Sequence, residues 1–285
     1  MGDDYGMRAQ VLASIRIVRP IPATAAAATV WIGAGLAGSD QGAHRPEVAL
    51  LSLMIFLTVA VANAYNDIRD VSADLVNGRP RPIAQGFLSM VQAWVVLVVC
   101  LASSLVLAAV VSRRVFVTDL ALVVGSLAYS WRVKGTVLIG NALVAGLGSV
   151  PFLLGARSAG TPVDRIIAGQ LLIFTYMFGY EVLKSLRDAV GDISAGYVTV
   201  ATKWGERKSL AIWLLLVISF IVLTLWCGVS LHPGWSYFVL MVILVDGLLV
   251  FVSMRVLMQR MAVSRAVSFC TVAWLPGLLA IGRIG

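Results

Sequence analysis

Apolar stretches of about twenty residues recur from one end of this chain to the other. As a helix, each stretch is long enough to cross a hydrocarbon layer about 30 Å thick. The mean hydropathy is +0.93 and only 13% of the residues are charged, whereas about a quarter are charged in an ordinary soluble domain. The sequence therefore predicts an all-α, polytopic membrane protein.

Nine membrane spans are predicted, and they leave no stretch long enough for a separate soluble domain. We therefore expect residues 1–285 to form a single domain built as one helical bundle. The N-terminal segment lacks the pattern of a cleaved signal, so the first span should remain in the mature chain. The predicted spans are 21–38, 48–66, 88–111, 115–131, 136–155, 164–185, 209–230, 234–255 and 265–283.

The distribution of Lys and Arg predicts the orientation in the membrane. With the N-terminus on the inner side, sixteen of the 22 basic residues fall in inner segments and six in outer segments. The chain should lie in the cytoplasmic membrane with the N-terminus and acidic loops in the cytoplasm and the C-terminus outside. The net charge of +8 is explained by this topology signal and by contact with anionic membrane lipids, and no nucleic-acid partner is expected.

Acidic residues cluster at the inner ends of two of the predicted spans. Asp67, Asp70 and Asp74 are spaced i, i+3 and i+7, which places their carboxylates on one face of a helix, and Asn63 and Asn66 extend that polar stripe. The second cluster follows the same logic. It comprises Glu181, Lys184, Asp188 and Asp192, at steps of three, four and four residues.

Carboxylates stacked on one face near a membrane interface repel one another and require positive charge close by. Basic side chains or a divalent cation could supply it. Oxygen ligands that include a few carboxylates suit Mg²⁺, which commonly bridges protein acids to substrate phosphates. Two acidic stripes could each hold one Mg²⁺ and face a single diphosphate between them.

Basic residues near the acidic stripes are candidates for binding that diphosphate. Arg79 and Arg81 lie in "NGRPRPIAQG", where Pro80 and Pro82 stiffen the loop, and the planar fork of Arg suits bidentate phosphate contact. Taken singly, each basic residue is explained by the orientation signal alone; the acids nearby favour a phosphate site. The other candidates are Arg19, Tyr129, Arg132, Lys134 and Lys184.

These motifs resemble those of the UbiA superfamily of intramembrane prenyltransferases. "NDIRDVSAD" (66–74) matches the family's NDxxDxxxD motif, "DAVGD" (188–192) matches its DxxxD motif, and "GRPRPIAQG" is similar to the usual continuation of the first. "YSWRVKGTVLIGNALVAGLGSVPFLLGA" resembles the inner loop and following span in the branch that includes digeranylgeranylglyceryl phosphate synthases. The resemblance covers residues 15 to about 205, and the family's nine-helix bundle agrees with the predicted spans.

The resemblance implies ionisation of an allylic prenyl diphosphate with the help of two Mg²⁺ ions. It implies catalytic roles for Asp67, Asp70, Asp188 and Asp192, which also serve as metal ligands with Asn66 and Asp74. Side chains near the inner span ends could line the prenyl site and stabilise the allylic cation through their aromatic faces, although packing explains each one taken alone. These are Asn63, Tyr65, Trp131, Phe178 and Tyr180.

One position departs from the family pattern. Many members have an additional acid after the Lys of the second motif, whereas "KSLRDAVGD" has Ser185 there. The second Mg²⁺ site should therefore have fewer anionic ligands than usual.

Three functions fit the sequence to different degrees. Transfer of a prenyl group of C15–C20 length to a second molecule (aromatic, quinone precursor or glyceryl phosphate lipid) is favoured. Cyclisation of the prenyl diphosphate to a terpene, as in some superfamily members, is the alternative. A transporter is a distant third, because it would place acids at mid-membrane and Asp246 is taken as the only acid so placed.

Overall fold

The structure is a computed structural model that describes residues 2–37 and 45–284. Within those residues the chain is helical and contains no β-strand, as expected where lipid leaves backbone groups no partner but one another. Residue 38, the last of the predicted first span, lies outside the described residues. The helices are α1 (Gly2–Val18), α2 (Pro20–Gly35), α3 (Arg45–Arg69), α4 (Val71–Val76), α5 (Met90–Val111), α6 (Arg113–Trp131), α7 (Ile139–Ser158), α8 (Val163–Ser194), α9 (Val200–Ser230), α10 (Trp235–Tyr237), α11 (Gly247–Leu257) and α12 (Val263–Ile281).

Eight helical segments in the described part of the chain are long and apolar enough to cross a membrane, with α10 and α11 joined into one by a π-helical stretch, Phe238–Asp246. A ninth is obtained when Gln10–Val18 and Pro20–Gly35 are taken as one span bent by 42°. The bend falls at Arg19, whose φ of 52° lies in the left-handed region. The prediction of an all-α bundle with nine spans is therefore confirmed.

The second acidic segment remains helical, although the sequence predicted that its span ends at residue 185. Helix α8 continues to Ser194 and contains 32 residues, or about 48 Å of helix, so it exceeds the roughly 30 Å of hydrocarbon. Its acidic C-terminal turns consequently extend from the apolar layer. The prediction that this stripe runs into a loop was wrong at that point.

The first acidic segment is broken where the sequence predicted one continuous helix. Asp70 has φ −98° and ψ 12°, which ends α3 and starts the short helix α4. The helical hydrogen bonds nevertheless continue across the break, from Asp70 N to Asn66 O and from Asp74 N to Asp70 O. The three carboxylates of Asp67, Asp70 and Asp74 therefore stay on the inward face, and all three residues are buried.

Helices α2 and α7 pack with their backbones in contact. A Cβ atom at Gly155 of α7 would overlap the backbone oxygen of Val30 in α2, and one at Gly33 would overlap that of Phe152. Thr161 donates a hydrogen bond of 3.1 Å to the Gly33 carbonyl and closes the same interface. Small residues that allow such close approach are a common way for helices to associate in lipid.

Outside the two acidic clusters, two acids, not one, are buried within the described spans. Besides Asp246, the structure places Asp119 inside α6, where Thr58 of α3 donates a hydrogen bond of 2.5 Å to its carboxylate. Thr224 of α9 donates to Asp246 over 2.6 Å. The expectation that Asp246 is the only such acid was therefore wrong, because Asp119 lies two turns inside its helix. Each acid joins neighbouring helices, which is a structural role and not an ion path.

The α2–α7 contact gives a direct test of the packing. Replacing Gly155 by Ala should destabilise the protein by about 1–3 kcal/mol, because neither backbone can retreat without disturbing its neighbours. Thermal unfolding in detergent measures the effect. Gly146→Ala is the matched control in the same helix, since a Cβ there would meet no atom within 4 Å. Equal unfolding temperatures for the two variants would contradict this description of the interface.

Candidate active site

The two acidic segments lie together at one end of the bundle, and basic side chains bridge them. Lys134, which follows α6, places its Nζ 2.5 Å from an oxygen of Asp70 and 4.0 Å from one of Asp192. Arg79 forms an ion pair with Asp188 and lies 3.9 Å from Asp74. Acidic residues about 120 positions apart in sequence therefore share the same two basic side chains, Lys134 and Arg79.

A backbone contact fixes the distance between the two segments. The amide of Gly191 in α8 donates a hydrogen bond of 3.0 Å to the side-chain oxygen of Asn77, which follows α4. A Cβ atom at position 191 would overlap the Asn77 side chain. The glycine in "DAVGD" is thus explained by close approach of α4. Sequence reasoning missed Asn77, which carries no charge and lies outside both motifs.

Arg19 and Arg81 converge on Asp67, which is 1% exposed. Arg19 forms an ion pair with Asp67 and donates to the Asn66 side-chain oxygen over 3.3 Å. The left-handed backbone of Arg19, between α1 and α2, is a strained conformation of the kind that collects at functional sites. The Arg81 Nε lies 3.7 Å from Asp67, and burial, followed by repulsion from Arg19, lowers the pKa of Arg81.

Tyr197 completes the surroundings of Asp70. Its hydroxyl donates a hydrogen bond of 3.1 Å to one Asp70 oxygen, while Asn66 donates to the other over 2.7 Å. Lys134 Nζ lies over the Tyr197 ring, 4.6 Å from its centre. Burial and the nearby Asp70 charge raise the pKa of Tyr197 to about 12, so it remains a hydrogen-bond donor. Its place directly after the second motif, in "SAGY", is the only sequence signal for it.

Charge in the site is compensated by the chain itself. Each carboxylate of the two motifs lies within 4.0 Å of at least one cationic nitrogen, so the buried cluster carries little net charge. The pairs join five carboxylates to five basic side chains, namely Asp67, Asp70, Asp74, Asp188 and Asp192 with Arg19, Arg79, Arg81, Lys134 and Arg187.

The donor set suits a hard divalent cation, although the carboxylates are turned toward basic groups. Within residues 2–37 and 45–284, no three acidic, histidine or cysteine side chains converge as a metal site by themselves. The site does retain free coordinating capacity, because Asp67 Oδ2 is buried without a hydrogen-bond partner. Burial raises the pKa of Asp74, against the opposing effect of Arg81, so a bound cation would relieve an unfavourable carboxylate. Carboxylate and amide oxygens are the ligands that Mg²⁺ prefers.

A second polar group lies deeper in the bundle. Glu181, in α8, is buried and accepts a hydrogen bond of 2.7 Å from Lys184. Lys184 Nζ also lies 5.5 Å from the centre of the Tyr180 ring. Tyr129, in α6, lies within electrostatic range of Glu181 and of the motif acids. Ser185 donates to the carbonyl of Val182 in its own helix, over 2.8 Å.

Several predicted site residues make their contacts elsewhere. Asn63 donates a hydrogen bond of 3.1 Å to the Val18 carbonyl and thereby holds the end of α1. Tyr65 packs edge-on against Trp94, with ring centres 6.0 Å apart, on the α5 side of α3. These contacts give both residues a packing role.

The remaining predicted residues divide between the surface and the interior. Trp131 is 62% exposed, and Arg132 is exposed beside it. Phe178 packs against Phe174 with ring centres 5.8 Å apart. Tyr180 shares a hydrogen bond of 3.0 Å with Thr271 of α12. Of these four residues, Tyr180 is the one whose ring lies beside the Lys184 ammonium group.

The structure thus defines a class of membrane-embedded helical bundle with a charge-compensated carboxylate site at one end of an apolar interior. The family model described as "UbiA prenyltransferase family" matches residues 26–274. The chain therefore belongs to the UbiA prenyltransferase family.

Individual relatives agree with this assignment. A digeranylgeranylglyceryl phosphate synthase of Methanopyrus kandleri is 34% identical over 80% of this chain and 83% of its own. A UbiA homologue from Aeropyrum pernix superimposes with a TM-score of 0.75 at 16% identity, covering 91% of this chain and 96% of its own. An Archaeoglobus fulgidus homologue bound to DMAPP and Mg²⁺ has a TM-score of 0.68 at 19% identity, covering 94% and 98%. The two structures establish the fold.

The bridging role of Lys134 can be measured by a double-mutant cycle. Lys134→Met should destabilise the protein by about 3–5 kcal/mol, because it leaves buried carboxylates without their cation. Adding Asp70→Asn should recover part of that loss, with a coupling energy of about 0.5–3 kcal/mol. Thermal unfolding of the three variants measures the coupling. The exposed Lys208→Met is the control, and purely additive effects would exclude the bridge.

Proposed function

We propose that this protein is a Mg²⁺-dependent intramembrane prenyltransferase that ionises an allylic prenyl diphosphate, transfers the prenyl group to an acceptor and releases diphosphate. Residues 1–285 would act as one catalytic domain. The observation that carries the proposal is the shared charge of the two acidic segments, with Lys134 between Asp70 and Asp192 and Arg79 between Asp74 and Asp188.

Related proteins support the same chemistry. The Methanopyrus relative is a digeranylgeranylglyceryl phosphate synthase, and the Archaeoglobus homologue is bound to a prenyl diphosphate and Mg²⁺. We infer that this chain takes the same kinds of ligand, with one Mg²⁺ at each acidic segment. A prenyl chain of C15–C20 length remains our expectation.

The metal ligands in this proposal are the oxygen donors of the two motifs. These oxygens would hold Mg²⁺, whose positive charge would stabilise the diphosphate as a leaving group. The ligands are Asn66, Asp67, Asp70 and Asp74 on one side and Asp188 and Asp192 on the other. Asp67, Asp70, Asp188 and Asp192 are the ones we consider essential for catalysis.

The basic residues would exchange partners when the diphosphate enters. Four basic side chains neutralise the motif carboxylates, namely Arg19, Arg79, Arg81 and Lys134. If those carboxylates held Mg²⁺, the same side chains would be free to donate hydrogen bonds to phosphate oxygens, for which Arg has a well-matched planar fork. Such preorganised donors stabilise a leaving group most effectively in a site that excludes water.

The apolar interior would receive the prenyl chain and protect the allylic cation. Water must be kept from a carbocation until its partner reacts, and the bundle provides a lining of apolar side chains above the charged cluster. Tyr129 and Tyr180 lie near the deeper Glu181–Lys184 pair. Their rings are candidates for stabilising the cation, since an aromatic face attracts positive charge.

Orientation in the membrane follows from the same proposal. The site lies at the end of the bundle where Arg19, Lys134 and the acidic helix ends meet, and that end bears most of the basic residues. Basic residues favour the cytoplasmic side, so we place the site in the cytoplasm. A Cβ atom at Gly282, just after α12, would lie 3.6 Å from the Ile32 side chain, near the end of α2 remote from Arg19, and this favours an outer C-terminus.

The acceptor is a second part of the proposal. We favour a glyceryl phosphate lipid, because the Methanopyrus relative is a synthase of such a lipid, over an aromatic acceptor or quinone precursor. Cyclisation of the prenyl diphosphate is the alternative. It would use the same ionisation, and the carbocation would be attacked by a double bond of its own chain.

Incubation of the purified protein with Mg²⁺ and C15 or C20 prenyl diphosphates distinguishes these outcomes. A transferase should release diphosphate slowly alone and rapidly once a glyceryl phosphate lipid is added, with an ether product detected by mass spectrometry. A cyclic hydrocarbon or alcohol formed without acceptor would identify a cyclase. Ion flux in liposomes without diphosphate turnover would instead support a transporter.

Loss of the proposed metal ligands should abolish turnover in a protein that is destabilised but still folded. Asp67→Ala, Asp70→Ala and Asp188→Ala should each lower the rate of diphosphate release by at least about 100-fold, because electrostatic stabilisation of the leaving group is lost. Asp164→Ala, at the start of α8 on the opposite side, is the control. Full turnover in any of the three variants would remove that residue from the metal site.

A further inference from the structure

Glu181 is a buried acid that the diphosphate site does not use. The residue is 6% exposed, although an isolated carboxylate is costly to bury. Its only ion pair in the part of the chain that the structure describes is with Lys184, one turn further along α8. Seven residues separate it from Asp188, so it lies about 10 Å deeper along the helix axis and outside the compensated cluster.

The position of Glu181 relative to the motif residues suggests what it faces. Seven residues are close to two helical turns, so Glu181 and Asp188 project from similar faces of α8. The i, i+3, i+7 spacing also places Lys184 on this face, between Glu181 and Asp188. Glu181 therefore borders the space just beyond the end of the cluster that would hold the diphosphate.

Transfer to a hydroxyl acceptor leaves a proton that must be removed. The carbon–oxygen bond to diphosphate breaks with its electron pair staying on the leaving group, and a new carbon–oxygen bond forms to the acceptor hydroxyl. The hydroxyl proton then needs a base. The motif carboxylates are poor candidates, because they would be engaged by metal in the proposed complex.

Glu181 has the free lone pairs that a base requires. Lys184 donates to one of its oxygens over 2.7 Å, and the other oxygen accepts no hydrogen bond from the described residues. The ion pair holds the carboxylate in one position while that second oxygen remains available. A general base must come within hydrogen-bonding distance of the proton it takes, and in the proposed complex a buried carboxylate held in one position would be suited to that contact.

We propose that Glu181 is the proton acceptor for the hydroxyl group of the second substrate, with Lys184 as the residue that positions it. The role rests on the acceptor transfer proposed above. It assigns the deeper polar pair to the acceptor and the motif acids to the diphosphate, so the two substrates would be recognised at two levels of the same bundle.

The test compares Glu181→Gln with the wild-type protein in detergent, using a C20 prenyl diphosphate and a glyceryl phosphate lipid. The variant keeps the shape of the side chain but cannot take the proton. We expect kcat for transfer to fall by about 100-fold or more, while the Kd for the prenyl diphosphate with Mg²⁺ changes by less than about threefold. Glu206→Gln, an exposed glutamate in α9, is the matched control and should behave as wild type. Glu181→Asp should recover part of the rate.

Two results would overturn the assignment while leaving the proposed function intact. One is wild-type kcat in Glu181→Gln; the other is a loss of diphosphate binding and unfolding temperature that accounts for the loss of rate, which would make the Glu181–Lys184 pair purely structural. Failure of the proposed function is distinct, since wild-type protein would then form no acceptor product at all. That result would overturn the role of Glu181 together with the transfer.

Discussion

The structure depends on compensation of buried carboxylates at one end of the bundle. Removing a charge from water costs several kcal/mol even after relaxation, and partners must offset that cost. The basic side chains that compensate the carboxylates come from different parts of the chain. Arg19 lies at the bend between α1 and α2, Arg79 and Arg81 lie in the loop after α4, and Lys134 lies in the turn after α6. The acids thus bring together segments that apolar packing alone would leave free to slide, since lipid solvates an apolar face as well as a neighbouring helix does.

This arrangement also explains how such a site can exist before any ligand arrives. A cluster of five carboxylates without cations would be strongly self-repelling, and a cluster of bare cations would attract any polyanion. Pairing the two sets produces a nearly neutral region that retains the donors and acceptors for both a metal and a diphosphate. In the proposed function, ligand binding would be an exchange of partners within this site, in which side chains such as Arg19 and Arg79 would move. The fixed contact between Asn77 and Gly191 keeps the two acidic segments at a constant spacing during that exchange.

Sequence reasoning located the spans and the charged residues well, because hydropathy and charge directly reflect the difference between lipid and water. The predicted spans correspond to the helices within a few residues, with two exceptions: α8 continues helically through its acidic turns, and α9 begins at Val200, nine residues before the predicted start. The sequence was less informative about neutral residues. Asn77 and Tyr197 contact the site through hydrogen bonds that no spacing rule marks, and Tyr65 and Trp131 face away from it. In a helix that is apolar on all sides, periodicity does not show which face is inward, so aromatic residues near a motif cannot be assigned from sequence alone.

Asp119 was overlooked although its position within a predicted span was visible in the sequence. The structure shows that a hydrogen bond from Thr58 compensates the burial of its carboxylate.

The deeper Glu181–Lys184 pair bears on what the allylic cation meets. A cyclase benefits from a cavity that is apolar and aromatic throughout, because a carboxylate beside the cation invites early capture or loss of a proton. Here a buried carboxylate lies about 10 Å beyond the motif acids, held by a lysine that also faces Tyr180. Such a pair is costly in an apolar interior and has no evident part in holding diphosphate. The pair has a clear use if a polar second substrate reaches the depth of Glu181. The hydroxyl of such an acceptor can form a hydrogen bond with the carboxylate and needs a base to take its proton. The same physical rule, that buried charge must be matched, therefore favours transfer over cyclisation.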